Sequence, residues 1–293
     1  MDIRQLGYFI AVAKHSSFTK AAAVLHVTQP TLSKMVKNLE EELDVTLFDR
    51  SARQISLTDA GEIVYEQAQR IVNSLDDLSS SLYDVMHLNK GKVKIGIPPV
   101  ISTLFFPTII AEFQHAYPNV TVVLIEDGAK RVEQKVFDGE VDLGFVMLPV
   151  DDEKFDMVPF VQQEIKLLVH ESHPLAHRET VDLIEFKDDP FLLLSKEFTL
   201  NGRTIDFCIQ EGFNPKVAYE SSQWDFLVGM VEKNLGVTLM PKLICDRVKD
   251  GPFKTLSLSH TFPWELGIIL AKNRYVPYVS KEFISLVQRL PVV

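Results

Sequence analysis

The stretch Thr28-Gln29-Pro30-Thr31-Leu32-Ser33-Lys34, followed a turn later by Lys37, gathers hydroxyl, amide and ammonium groups at one helix start. Gln can pair with the edge of adenine, Ser and Thr serve base edges or phosphates, and Lys reaches guanine or phosphate. A polar face of this kind is common on surface helices, and charge is what separates this one. From residue 3 to residue 39 the bases are Arg4, Lys14, Lys20, Lys34 and Lys37, and there is no Asp or Glu. A carboxylate in a duplex groove would repel phosphates, so an acid-free window suits a polyanion. Helix starts at Ser17 and Thr28 would add backbone N–H donors for phosphate.

Other chemistry is thin. His170, His173 and His177 lie close together, a pattern that could serve zinc or nickel, but Pro174 breaks any shared helical face and no metal is expected. There is no GxSxG, HExxH, GxxxxGKS/T or GxGxxG, and no nucleophile and base at workable spacing, so neither an enzyme nor a cofactor is expected. Cys208 and Cys245 form no CxxC pair, which makes a reducing compartment the simpler assignment.

The elements that must carry the face are marked by caps and periodicity. Three short helical patterns follow one another: Ile3 to Lys14, Phe18 to Leu25, and Pro30 to Leu43 with Leu32, Met35, Val36, Leu39 and Leu43 apolar. Ser17 and Thr28 stand where N-caps accept orphan N–H groups, and Pro30 falls in a first turn, where its missing donor costs nothing. Only His26 and Val27 separate Leu25 from Thr28, so the second and third helices form a helix-turn-helix. Val45 to Leu57 then reads as an extended wing with Arg50 and Arg53 near its tip.

From Thr58 to about Asn89 runs one long helical pattern. Val64, Ala68, Ile71, Leu75, Leu78, Leu82 and Val85 recur at alternating steps of four and three, a heptad seam. So narrow a stripe on a helix of roughly 45 Å calls for a partner, and a second copy of the same helix is the simplest one. The alternative is an amphipathic helix laid on its own domain. After Lys90-Gly91-Lys92 strands alternate with helices, a parallel-sheet pattern: strands at Val93–Ile97, Val120–Ile125, Val141–Met147, Glu164–His170, Phe191–Leu194, Val217–Tyr219, Val237–Met240 and Trp264–Ala271. Two α/β lobes of this kind would place a ligand cleft between the carboxyl ends of their strands.

With 293 residues, 46% of them hydrophobic, and a formal charge of −10, the chain is expected to be a soluble globular protein of about two folding units. It shows neither the charged-then-apolar order of a signal peptide nor an apolar run of ~18 residues, so a cytoplasmic location and no membrane partner are expected. The seven bases of residues 1–60 are balanced by Asp2, Glu40, Glu41, Glu42, Asp44, Asp49 and Asp59, which leaves the whole −10 on the remainder. A base-bearing head on an acidic body suggests separate tasks for the two.

Phe9-Ile10-Ala11-Val12-Ala13, Ser17-Phe18-Thr19-Lys20-Ala21-Ala22, Leu25 to Ser33, Leu39-Glu40-Glu41-Glu42-Leu43, Leu47-Phe48-Asp49-Arg50 and Leu57-Thr58-Asp59-Ala60-Gly61 resemble the winged helix-turn-helix of LysR-type transcriptional regulators. The resemblance covers the whole chain and implies an α+β multidomain protein. Its parts would be a winged helix-turn-helix at 1–58, a linker dimerisation helix at 59–89 and a two-lobed α/β domain like periplasmic binding proteins at 90–293. Lobe I would comprise about 90–161 and 265–293, and lobe II about 162–264. It implies base and backbone contacts from Thr28, Gln29, Pro30, Thr31, Ser33 and Lys34, phosphate contacts near Thr19 and Lys20, and a wing served by Arg50 and Arg53. Asp44 stands where the family usually has Gly; Asp tolerates left-handed geometry, so a modest stability cost is expected.

The resemblance also makes Pro98-Pro99-Val100-Ile101-Ser102-Thr103 one wall of an effector cleft. A helix N-terminus with hydroxyls at Ser102 and Thr103 suits a small organic anion. Opposite walls are expected from Met147-Leu148-Pro149, Ser195 to Arg203 (with Phe198, Thr199, Asn201 and Gly202), Ser221 to Trp224 (with Gln223), and Met240-Pro241. The expected partners are double-stranded promoter DNA, a small-molecule effector, further copies of the chain as a homodimer or homotetramer, and RNA polymerase. Three rival readings remain open at this point: a constitutive DNA-binding regulator whose body only oligomerises, a solute-binding protein, and an enzyme built on the lobes.

Overall fold

A computed structural model describes residues 1–49, 55–86 and 91–290, with the backbone alone for 76, 77 and 79–86. The chain divides into two compact units, Met1–His87 and Leu88–Val293.

In the first unit α1 (Ile3–His15), α2 (Phe18–Val24) and α3 (Gln29–Leu43) lead to the strand pair β1 (Phe48–Asp49) and β2 (Ser56–Leu57), then α4 (Asp59–Met86). The side chains of Ser17 and Thr28 accept from the backbone N–H of Lys20 and Thr31, as N-caps do. His26 takes a left-handed conformation (φ 54°) in the turn between α2 and α3, and Asp44, at φ 54° and ψ 39°, ends α3 in the same region. Glu40 fastens the wing to α3 by accepting from the Leu47 N–H at 2.9 Å. The core joins Leu6, Phe9 and Val12 to Phe18, Ala21, Leu32, Val36, Leu39, Leu47 and Phe48. Phe48 meets Phe9 and Phe18 with ring centroids 5.2 and 5.7 Å apart.

The second unit opens with β3 (Gly91–Ile97), α5 (Pro99–Ala116), β4 (Val120–Glu126), α6 (Ala129–Phe137) and β5 (Leu143–Met147). The long strand β6 (Phe155–His170) follows, then β7 (Thr180–Val181), a short 3-10 turn, β8 (Pro190–Leu194), α7 (Thr199–Gln210), β9 (Lys216–Ser221), α8 (Trp224–Glu232) and β10 (Thr238–Pro241). The last elements are α9 (Lys242–Arg247), β11 (Phe253–Leu258), β12 (Pro263–Ala271) and α10 (Tyr278–Arg289).

The expected parallel pattern is present in part. β3 pairs in parallel with β4 and β5, and β8 with β9, but β12 lies antiparallel to both β5 and β6. β6 also starts at Phe155, well before the expected Glu164, because its first half is a full partner of β12. Its second half turns to other partners, with Ile165–Leu168 opposite β10 and Leu167–His170 opposite β11. One strand thus passes from the first lobe to the second, and its partners change at Glu164/Ile165.

Candidate functional site

The head presents the expected polar face. Thr19, Lys20, Thr28, Gln29, Pro30, Thr31, Lys34 and Lys37 are exposed, while Ser17 and Ser33 are half-buried. This follows from the helix period: Leu32, Val36 and Leu39 bury one stripe of α3 and turn residues 28, 31 and 34 outward. The Thr28 and Thr31 hydroxyls lie 2.8 Å apart in a hydrogen bond at the first turn. Lys37 is held 3.3 Å from Glu41, four residues on, whereas Lys20 and Lys34 have no ion pair among the described residues. Arg50 and Arg53 lie outside the described residues.

The heptad seam of α4 divides in two. Ala68 is 2% exposed in the head's core, and Val64, Tyr65 and Val72 pack there too. Ile71, Leu75 and Leu78 are 43%, 43% and 56% exposed. The first turns of the seam therefore follow the alternative of a helix laid on its own domain, and the next turns present an uncovered apolar stripe. Leu82 and Val85 are on α4, but their side chains lie outside the described residues.

In the second unit a small cavity of about 40 Å³, open to solvent on one side, lies between the lobes. Pro98, Val100 and Ile101 from the start of α5, Ala129 from α6, and Met147 from β5 form one side. Leu194, Phe198, Thr199, Leu200 and Pro241 form the other, and Trp264 and Leu266 of β12 complete the lining. The structure thus brings together Pro98, Val100, Ile101, Met147, Phe198, Thr199, Leu200 and Pro241 of the expected wall residues.

The others stand elsewhere. Ser102 Oγ donates to Glu126 Oε1 at 2.5 Å and to the Pro99 carbonyl, and Thr103 Oγ1 donates to the same carbonyl at 2.8 Å. Neither hydroxyl is held out to the cavity, because a helical Ser or Thr can turn back on the carbonyl three or four residues before it. Ser195 is half-buried, its N–H spent on the Ser221 carbonyl. Asn201 is buried and donates to the Leu194 carbonyl at 2.6 Å and to Glu220, ties that hold the α7 start to β8 and β9. Arg203 is half-buried, and burial lowers its pKa against the opposing pull of Glu265. Gly202 and Gln223 are exposed, and Trp224 packs against the core.

Sequence reasoning missed Ala129, Leu194, Trp264 and Leu266 as lining residues. Position supplied a usable signal for Leu194, which stands at the carboxyl end of β8. Of the histidines, His170 bonds Ser172, His173 stacks on Phe186 with Nε2 3.3 Å from Asp189, and His177 bonds the Pro174 carbonyl. Each ring thus has its own local partner. No helix among the described residues is long and apolar enough to cross a membrane.

A winged helix-turn-helix, a long helix and a two-lobed α/β body are the parts of a DNA-binding transcriptional regulator. Residues 3–62 match the bacterial regulatory helix-turn-helix protein family of lysR type, and residues 87–291 match the LysR substrate binding domain. The chain belongs to the LysR family of DNA-binding transcriptional regulators. It is 45% identical to the uncharacterized HTH-type transcriptional regulator YwbI of Bacillus subtilis (strain 168), over 97% of this chain and 95% of that protein. Among solved structures, a cysteine-to-aspartate variant of full-length OxyR from Pseudomonas aeruginosa has a TM-score of 0.78 at 23% identity, covering 100% of this chain and 96% of that one. Full-length CbnR complexed with its target DNA has a TM-score of 0.65 at 22% identity, covering 99% of each chain. These two structures share the fold.

Proposed function

We propose that this regulator binds promoter DNA as a homo-oligomer and that a small molecule in the interlobe cleft sets its action. The observation that carries the DNA reading is the exposed polar face of α2 and the start of α3, free of acids up to residue 39, where Lys20 and Lys34 stand without ion pairs among the described residues. Thr28, Gln29, Thr31 and Ser33 would read base edges from the start of α3, and Lys20 and Lys34 would hold phosphates. The stripe Ile71, Leu75 and Leu78 on α4 would join two copies, so that two recognition helices meet two half-sites. The body would respond by population shift, with the ligand favouring one arrangement of the lobes. Footprinting on the promoter beside the regulator's own gene tests this. The expected result is protection of two half-sites, lost on Lys34→Ala; no protection at any promoter in dilute salt would refute it.

A further inference from the structure

The walls of the cleft say more about its occupant than its position does. The lining is apolar from α5 round to β12, and includes the rings of Phe198 and Trp264, the latter stacked on Phe105, and the polarisable thioether of Met147. Among the described residues no Lys, Arg or His lines it, and neither does Asp or Glu. Its one hydroxyl is Thr199, which has no hydrogen-bond partner among the described residues and begins α7, a helix whose N-cap is Phe198 and lacks a side-chain acceptor. Of the other helix starts at the cleft, α5 has Pro99 in its first turn, where an N–H is missing, and its Ile101 and Ser102 N–H groups both go to the Pro98 carbonyl; α6 begins there at Ala129, with the Arg131 and Val132 N–H groups on the Gly128 carbonyl, and the short α9 begins just after Pro241.

These features weigh against an ionised ligand. Helix ends offset only a fraction of the cost of stripping water from a carboxylate, and a buried anion with no cation beside it is disfavoured. A neutral ring loses little water on entering and gains contact with Phe198, Trp264 and the aliphatic walls.

Resting on the reading of this cleft as the effector site, we propose that the effector is a small, uncharged, largely apolar molecule whose one polar end hydrogen-bonds to Thr199. This replaces the organic anion expected from Ser102 and Thr103, whose hydroxyls serve Glu126 and the Pro99 carbonyl.

The chain's two tryptophans make the test direct. In full-length protein carrying Trp224→Phe, emission comes from Trp264 in the cavity wall alone. Toluene, benzyl alcohol and benzoate are titrated against it at pH 7. Toluene and benzyl alcohol are expected to change the emission saturably, with benzyl alcohol about three- to tenfold tighter. That advantage should vanish in Thr199→Val and return in Thr199→Ser, while benzoate binds at least about tenfold more weakly than benzyl alcohol. Benzoate binding as tightly as benzyl alcohol, or Thr199→Val leaving benzyl alcohol unaffected, would overturn the ligand class and leave the cleft as the effector site. No saturable response to any of the three, from protein that still binds DNA, would overturn the cleft reading together with the proposal.

Discussion

Arg247 Nη2 donates to the carbonyl oxygen of Leu104 at 2.8 Å, tying α9 of the second lobe to α5 of the first. A second approach lies between Gly128, at the start of α6, and Glu197, in the loop before α7, where a Cβ on Gly128 would stand 2.8 Å from the Glu197 carbonyl oxygen. One contact pulls the lobes together, and the other allows them to close only because residue 128 has no side chain. Gly128→Ala should therefore hold the lobes apart and Arg247→Met should release them, each weakening ligand binding in the cleft. Arg247 is exposed, so losing its hydrogen bond should cost only about 1 kcal/mol. Small-angle scattering of the isolated Leu88–Val293 unit, should it fold alone, or hydrogen exchange of the full chain at α5 and α7, would report the change; identical exchange in wild type and both variants would refute it.

Much of the head was legible in its sequence because its signals are local. Ser17 and Thr28 cap helices from one residue away, and the apolar stripe of α3 is set by its own period. The cleft was less legible because its walls are assembled from distant segments. Ile101 and Trp264 meet only when β12 turns back between β5 and β6, and nothing near Trp264 announces that. Ser102 misled for the same reason: its hydroxyl finds Glu126 across a parallel strand pair, a partner that its own segment does not contain. Likewise Val64 and Ala68 share the period of the exposed seam residues, and only packing against α1 separates them.

Gly61 is fixed by a close approach of backbones. Thr58 caps the start of α4, accepting from the Gly61 N–H at 3.0 Å and donating to the Thr46 carbonyl at 2.7 Å, which draws α4 against the strand base. A Cβ at residue 61 would stand 2.1 Å from the Leu47 carbonyl oxygen. Backbone must then shift, so Gly61→Ala should destabilise the head by roughly 1–3 kcal/mol. Urea denaturation checks it; an unchanged midpoint would mean that α4 enters at another angle.

The two thiols should be chemically silent. Cys208 on α7 and Cys245 on α9 are buried, and burial pushes both up to about 12. At pH 8 only about one thiol in ten thousand would then be thiolate, the reactive form. A disulfide-exchange reagent should label neither in the native protein and both after unfolding in urea, and hydrogen peroxide should leave DNA affinity unchanged. Rapid native labelling of either residue would place it at the surface.

The lysines of the recognition face should not be equivalent. Each Lys that neutralises a phosphate contributes about 0.9 to the slope of log affinity against log salt. Lys20→Ala and Lys34→Ala should each lower affinity and reduce that slope by about one. Lys37 is already engaged by Glu41 at 3.3 Å, so Lys37→Ala should do less, and Glu41→Gln should strengthen binding slightly. Titrations at several salt concentrations separate these outcomes, and equal slopes for all four variants would remove α3 from the phosphate contacts.

The division of the α4 stripe predicts two different failures from the same kind of substitution. Ala68 is sealed among the head's core side chains, so Ala68→Glu should bury an unpaired carboxylate at a cost of several kcal/mol and unfold the head before it affects assembly. Leu75 and Leu78 lie on the uncovered part, where a charge meets water in a single copy and a second hydrophobic helix only in the oligomer. The double variant Leu75→Glu, Leu78→Glu should therefore keep its helical content and melting behaviour as a monomer while losing self-association by about tenfold or more. Sedimentation velocity across a range of concentrations, read beside circular dichroism, distinguishes the two. A double variant that sediments as wild type would assign the contact between copies to another surface, and an Ala68→Glu protein with a wild-type melt would detach the first half of α4 from the head's core.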